Sequence, residues 1–95
     1  MKLCKSAEAV LAYLYNKRIF NRHKPEDKVL RFKARWNDKA EQNEFEKDYK
    51  MLVNEGIILR ERKRTGKGSD WHIRINPKKA AEVQELVYSA LEVQK

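Results

Sequence analysis

Two short runs of alternating residues on either side of a basic, glycine-containing turn constrain the fold most. The stretch GIILRERKRTGKGSDWHIRIN (residues 56–76) opens with a glycine and an apolar triplet, and four of the five residues 60–64 are cations. A tip with two glycines and the alternating run WHIRI (71–75) follow. This pattern predicts a β-hairpin with strands at 57–63 and 71–75 around a loop at 64–70.

Three segments with the apolar spacing of helices precede this hairpin. The first is capped by Ser6 and runs to about residue 17. The second has Pro25 in its first turn and ends near Asn37. The third covers about 39–54 and uses an Asn-Asp pair as its N-terminal cap.

Turn-forming residues mark the remaining boundaries. The connection after the first helix contains a predicted short edge strand at 19–20, and Gly56 predicts a left-handed C-cap after the third helix. The pair Asn76-Pro77 predicts the start of a fourth helix over 77–94. Its predicted apolar stripe consists of Ala80, Val83, Val87, Ala90 and Leu91, with Leu86 and Val93 widening it.

The element order predicts an α+β fold in a single domain of 95 residues. Two helices joined by a tight turn and followed directly by a hairpin form the arrangement of the winged helix-turn-helix. The predicted architecture is therefore a three-helix core, a two-stranded β-hairpin wing and an additional C-terminal helix.

The net charge of +8 and the pI near 9.7 predict a polyanionic partner, most often nucleic acid. Residues 57–79 carry eight cations and two anions, whereas residues 38–56 carry three cations and six anions. An acidic membrane surface would require an apolar anchor, and no run approaches the roughly 20 apolar residues of a membrane span. With one cysteine and no signal-peptide pattern, the expected compartment is a cytoplasm.

The segments EAVLAYLY (8–15) and FEKDYKMLVNEGIILRERKRTGKG (45–68) resemble the small winged-helix proteins of crenarchaeal spindle-shaped viruses. They resemble MarR-type regulators more distantly. This resemblance implies a homodimeric transcription regulator that binds double-stranded DNA in the cytoplasm of the host cell. It also implies that the first and last helices form the dimer interface.

Cations of the hairpin and the second helix are the candidates for phosphate contacts, while Lys63 is predicted on the opposite face of its strand. The alternatives are a hairpin whose charge prevents edge pairing and an ordinary solvated helix face. The predicted phosphate-binding residues are Lys28, Arg31, Arg35, Arg60, Arg62, Arg64 and Lys67.

The outward face of the third helix is the candidate for base reading through Gln42, Asn43 and Lys47, since amide and ammonium groups bind base edges. This helix also carries several acidic residues near its start. They either stabilise the helix N-terminus or indicate a rival function, a winged-helix module that binds another protein. An RNA-binding variant is a third alternative.

The remaining chemically distinctive side chains are expected to be structural. The aromatic rings of Trp36, Trp71 and Tyr49 are predicted in the core, with platforms for stacking nucleic-acid bases as the alternative. His23 and His72 are predicted to lack the partners of a metal site. Cys4 has no signature of a nucleophile, but its place before the first helix would allow an intersubunit disulfide if it lay near a dimer axis. No enzyme activity, cofactor, metal or small-molecule substrate is expected.

Overall fold

A computed structural model describes the backbone of residues 3–65 and 68–93 and the side chains of residues 3–64 and 70–87. Within these residues the chain is α+β, with four α-helices and a three-stranded antiparallel sheet. The elements are α1 (Lys5–Asn16), β1 (Lys24–Pro25), α2 (Glu26–Lys33), α3 (Lys39–Asn54), β2 (Ile58–Thr65), β3 (Gly68–Ile75), a 3₁₀ turn (Pro77–Lys79) and α4 (Ala80–Val93).

Helix α1 begins one residue before the predicted cap. Its N-cap is Cys4, which makes no side-chain cap. The Cys4 backbone N–H instead donates to the Asp48 carboxylate at 2.8 Å. The Ser6 hydroxyl donates to the Arg35 carbonyl oxygen, so the prediction of Ser6 as the cap was wrong. Asp48 of α3 thus satisfies one of the backbone N–H groups that lack an intrahelical partner at the start of α1.

The connection between α1 and α2 contains no strand at 19–20, where one was predicted. Arg18 adopts a left-handed conformation with φ of 55°, which turns the chain immediately after α1. Ile19 then enters the core, where its side chain is fully buried and its carbonyl accepts from the Ile75 N–H at 2.8 Å. The short edge strand β1 forms five residues later and pairs with β3.

Helix α2 is shorter than predicted because the chain becomes extended at Ala34, with φ of −86° and ψ of 120°. Ala34 is buried, whereas the Phe32 side chain is 64 % exposed. Because α2 ends at Lys33, Trp36 lies in the segment after the helix and not within it. Its ring lies 5.5 Å from that of Phe45, and it remains 38 % exposed, so its predicted core position was wrong.

Helix α3 has the predicted bounds and caps. The Asp38 carboxylate accepts from the Glu41 N–H at 2.9 Å, as an N-cap does. Beyond the other end, Gly56 has φ of +76°, a conformation that costs glycine little. The predicted capping by Asp38 and Gly56 is confirmed, and the left-handed turn directs the chain into β2.

The sheet has the order β1-β3-β2. The end of the hairpin nearest α3 and α4, with Ile58, Ile73 and Ile75, packs in the core with the helices. The β2–β3 pairing extends from Ile58↔Ile75 to Thr65↔Gly68, so the strands are longer than predicted. The largest fully buried side chains come from α1, the turn after it, α3, both hairpin strands and α4: Val10, Leu11, Leu14, Ile19, Leu52, Ile57, Ile58, Ile73, Ile75 and Val83.

Helix α4 follows a 3₁₀ turn that begins at the predicted residues. The Asn76 side chain accepts from the Lys78 N–H and donates to the Gly56 carbonyl at 2.9 Å, which ties this turn to the end of α3. Val83 and Val87 are buried and Leu86 is half-buried, as the stripe predicted. The side chains of Ala90, Leu91 and Val93 lie outside the described residues. Of the described helices, none combines the length and apolar character that crossing a bilayer requires.

Candidate nucleic-acid interface

The two faces of the hairpin carry different kinds of charge. Cross-strand partners share a face, and residues two apart along a strand share it too. The pairs Arg60↔Ile73, Arg62↔Trp71 and Arg64↔Ser69 therefore place three arginines in a row on the face that bears the buried isoleucines at its base. We call the outer part of this face, with Arg60, Arg62, Arg64 and Trp71, the arginine face.

Arg60 is neutralised within the protein. Its guanidinium makes two bonds to the Glu26 carboxylate, at 2.7 Å from Nε and 2.9 Å from Nη2. These bonds raise the pKa of Arg60 above its usual value, and the Glu26 side chain is only 12 % exposed. Because Glu26 occupies the Nε–Nη2 edge of the guanidinium and neutralises its charge, Arg60 is less available for phosphate contact than Arg62 or Arg64, and its phosphate contact stays a prediction.

Arg62 and Arg64 are exposed and form no ion pair with any described side chain. They are the outermost described cations of the arginine face. Lys67, also predicted to contact phosphate, lies outside the described residues. The free positive charge of the described hairpin is therefore concentrated near its tip.

Trp71 belongs to this face and is 39 % exposed, so its predicted core position was also wrong. The Arg60 guanidinium carbon lies 4.0 Å from the ring centroid, and that of Arg62 lies 5.6 Å away. Both distances fall within the range of cation–π attraction. The indole thus contacts two of the arginine side chains of this face.

The opposite face of the hairpin is balanced in charge. The Glu61 carboxylate pairs with Lys63 at 3.2 Å and with Arg74 at 3.4 Å, and these cations, Lys63 first, lower the pKa of Glu61. Arg74 also donates to the Phe20 carbonyl at 2.8 Å. The prediction that Lys63 lies on the face opposite the arginines is confirmed by the register.

His23 and His72 meet on this balanced face, although they were predicted to have no partners. Their Nδ1 atoms are 2.6 Å apart and their ring planes cross at 76°. Desolvation, followed by the charges of His72 and Lys63, lowers the pKa of His23. The two residues are 49 apart in sequence, so only the pairing of β1 with β3 brings them together.

The predicted cations of α2 and the chain that follows it lie on different parts of the surface. Lys28 borders a pocket of about 290 Å³ between α1 and α2, beside the exposed Phe32 and Tyr13. Arg31 is exposed. Arg35, two residues after the helix, borders a larger groove together with Lys47 of α3. Arg35 therefore lines the same groove as one predicted base reader, whereas Lys28 lines a different pocket.

The acidic residues of α3 are largely used inside the protein. Glu41 accepts from the Asn37 N–H at 2.7 Å, and Glu46 accepts from the Gln42 side-chain amide at 3.3 Å. Asp48 accepts from the backbone at the start of α1. Glu41 and Asp48 thus stabilise the starts of α3 and α1, whereas the exposed Glu46 bonds only within α3. The acids at helix starts do not by themselves indicate a partner protein.

Among the predicted base readers, Asn43 and Lys47 are exposed, and Gln42 is half-buried. The Glu46 bond occupies one donor of the Gln42 amide, which leaves its carbonyl oxygen available. Phe45 is buried and Tyr49 is half-buried on the inward side of the helix. The outward side is thus polar, with Asn43 and Lys47 the freest of the three.

Cys4 is half-buried beside the groove that Lys47 borders. Burial, and then the bond and charge of Asp48, raise the pKa of its thiol. A protonated thiol is a poor nucleophile and a poor metal ligand.

The chain matches no family model, no curated protein and no solved structure.

Proposed function

We propose that this protein is a winged helix-turn-helix protein that binds duplex DNA and acts as a transcription regulator. In this proposal β2 and β3 form the wing, α2 and α3 form the helix-turn-helix, and α4 is the additional helix. The fold-level support is the order of four helices and the antiparallel sheet, in which the hairpin directly follows α3.

The asymmetry of the hairpin carries the proposal. One face holds Arg62 and Arg64 without acidic partners among the described side chains, while the cations of the other face share Glu61. Protection of a strand edge would need charge on the strand but not its segregation to one face. A row of free guanidinium groups is suited to phosphate oxygens, which accept in a fork geometry.

The cations outside the hairpin would extend the phosphate contacts. Lys28, Arg31 and Arg35 are exposed, and Arg35 lines the same groove as Lys47 of α3. We propose that these residues contact the DNA backbone and that Gln42, Asn43 and Lys47 read base edges. In this arrangement phosphate contacts supply affinity, and the polar side chains of α3 supply the sequence preference.

The experiment that tests the proposal is a salt titration of binding to labelled duplex DNA. Each phosphate contact contributes about −0.9 to the slope of log affinity against log salt, so R62A/R64A should reduce the slope by about 2. Lys63→Ala is the matched control, because Lys63 lies on the same strand but on the balanced face. Equal losses in the two variants, or no loss in either, would contradict the assignment of the arginine face.

The same titration separates the alternatives. A protein–protein interaction module would show little salt-dependent binding to duplex DNA. An RNA-binding variant would bind duplex or single-stranded RNA more tightly than DNA of the same sequence, because RNA recognition uses the 2′-hydroxyl and unstacked bases.

We also propose a homodimer through α1 and α4. The inner face of α1 is buried in its own chain, but Ala9 of α1 and Ala81 of α4 are small and exposed, which allows close helix approach. Sedimentation equilibrium at roughly tens of micromolar tests this, since association depends on concentration. A monomer throughout that range would contradict the dimer but would leave the DNA-binding proposal standing.

A further inference from the structure

The two histidines on the balanced face of the sheet have the geometry of a pair of metal ligands. His72 lies on β3 directly opposite Glu61 of β2 and Pro25 of β1, and His23 precedes β1 on the same edge. Their Nδ1 atoms approach to 2.6 Å, with ring centroids 4.5 Å apart. The two nitrogens are therefore neighbours at the surface, held there by two adjacent segments of backbone.

The distance between these nitrogens is nearer to that of right-angled than of tetrahedral ligands. With metal–nitrogen bonds of about 2.0 Å, two cis ligands at a right angle lie about 2.8 Å apart, whereas two tetrahedral ligands lie about 3.3 Å apart. The observed 2.6 Å is closer to the right-angled arrangement and requires the rings to separate by only a few tenths of an ångström. Square-planar and tetragonal sites are typical of Cu²⁺ and Ni²⁺.

We propose that His23 and His72 form a two-nitrogen binding site for a divalent copper or nickel ion through their Nδ1 atoms. Among the described side chains no third His, Cys, Asp or Glu completes a group of metal ligands, so water fills the remaining positions. When the ion binds, the proton held between the two Nδ1 atoms moves to Nε2 of the ring that carried it. Both imidazoles then coordinate in their neutral form.

The surroundings limit the affinity of the site but do not exclude it. Lys63 and Arg74 place two positive charges on the same sheet face, and Glu61 and Asp70, the cross-strand partner of Lys63, place two negative charges there. The face carries no net charge, but the Lys63 ammonium, whose charge already acts on His23, opposes a dication at the pair. Lys63→Gln should therefore tighten metal binding while leaving both ligands in place, which is a test that a merely structural histidine pair would fail.

The site is independent of the proposed DNA interface. The histidines share the face of Lys63, whereas Arg62 and Arg64 lie on the other face of the same hairpin. A bound ion would join the segment before β1 to the centre of the sheet. Because it binds only the folded chain, it should raise the unfolding temperature, and the rise should grow with the logarithm of the free ion concentration above the dissociation constant.

The experiment is calorimetric titration of the full chain, without an affinity tag, with Ni²⁺, which does not oxidise Cys4. The wild type should bind one ion per chain. Loss of an outer-shell partner alone costs about 10–100-fold in metal affinity, so His23→Gln and His72→Gln should each lose at least about tenfold. Binding that persists in the double variant measures the contribution of the chain terminus. Circular dichroism is used to check that the double variant is folded.

Electron paramagnetic resonance with Cu²⁺ supplies the second readout, where two nitrogen ligands should appear in the wild type and fewer in each single variant. A 1:1 nickel complex that both single variants weaken and K63Q strengthens would support the site. Equal affinity in the wild type and the double variant would overturn it. Tighter binding of Zn²⁺ than of Ni²⁺ would overturn the choice of ion, because it would indicate tetrahedral ligands.

Discussion

The hydroxyl of Tyr49 donates a 2.6 Å hydrogen bond to the carboxylate of Glu26, which connects the middle of α3 to the first residue of α2. The same carboxylate holds the Arg60 guanidinium of β2. Three elements that are distant in sequence thus meet at one half-buried acid. The orientation of the hairpin relative to the two helices rests partly on this junction.

We predict that Tyr49 does not ionise in the folded protein. Burial, and then the bond and charge of Glu26, raise the pKa of its phenol far above the usual value. The folded state therefore binds this proton more tightly than the unfolded chain. The resulting stability is fully present below about pH 10, the pKa of an unfolded tyrosine, and is lost as the pH rises above it.

Near-ultraviolet titration of wild type and Tyr49→Phe measures this directly. In denaturant the wild type should ionise all four tyrosines and the variant three. In the folded state the two proteins should show equal phenolate signals up to the onset of alkaline unfolding. A smaller native signal in the variant, with an ordinary midpoint, would contradict the prediction.

Glu26→Gln should lower stability and strengthen DNA binding together. The substitution removes the charge that holds Arg60, and loss of this partly exposed, charge-assisted pair should cost about 1–2 kcal/mol in urea unfolding. It also adds one free cation to the arginine face, which should steepen the salt slope of DNA binding by about 0.9. Arg60→Ala is the control, because it loses the same pair without creating a free cation. Equal DNA affinity in the two variants would show that Arg60 cannot reach phosphate.

Capping residues and apolar spacing were enough to predict those helix boundaries that depend on neighbouring residues in the sequence. Helix α3 was predicted with its bounds and caps because Asp38 and Gly56 act on their immediate neighbours. Helix α2 was predicted too long because its end is set by burial of Ala34 and by the packing of Trp36 on Phe45. Neither contact is encoded in the spacing of apolar residues within that segment.

In the candidate sites, too, the sequence predicted what depends on neighbouring residues and missed the contacts between distant ones. Alternation along β2 predicted correctly that Lys63 faces away from the arginines. It could not show that Arg60 is neutralised, since Glu26 lies 34 residues earlier. The pairing of His23 with His72 depends on the register of the two-residue strand β1, for which the sequence contains no hairpin turn or strand pattern. Contacts of this kind follow from tertiary packing alone.

The Cys4 thiol should react more slowly in the folded protein than in the unfolded chain. Burial raises its pKa, so less thiolate is present at mildly alkaline pH, and Asp48 adds to this effect. The rate of reaction with an aromatic disulfide, measured with and without denaturant, gives the comparison.

Non-reducing electrophoresis of freshly purified protein tests the proposed intersubunit disulfide: a dimer band that reductant removes would support it, and a monomer band alone would exclude it.

The polar residues on the outward side of α3 should contribute unequally to sequence preference. If the outward side of this helix enters the major groove, Asn43 and Lys47 should contribute more to sequence preference than Gln42. The reason is that Glu46 already occupies part of the Gln42 amide, whereas Asn43 and Lys47 are exposed. Selection of bound sequences from random duplex DNA, followed by affinity measurements on the selected site, provides the assay.

Asn43→Ala should relax the preference at one base pair, at a cost of roughly 1–3 kcal/mol, and leave the salt slope unaltered. Lys47→Ala should weaken binding, and its salt slope distinguishes a base contact from a phosphate contact. Gln42→Ala should have the smallest effect of the three. If the triple variant keeps both the selected sequence and the affinity, α3 does not read DNA, and Glu44, an exposed acid beside Lys47 in the groove, becomes the residue to test for protein binding.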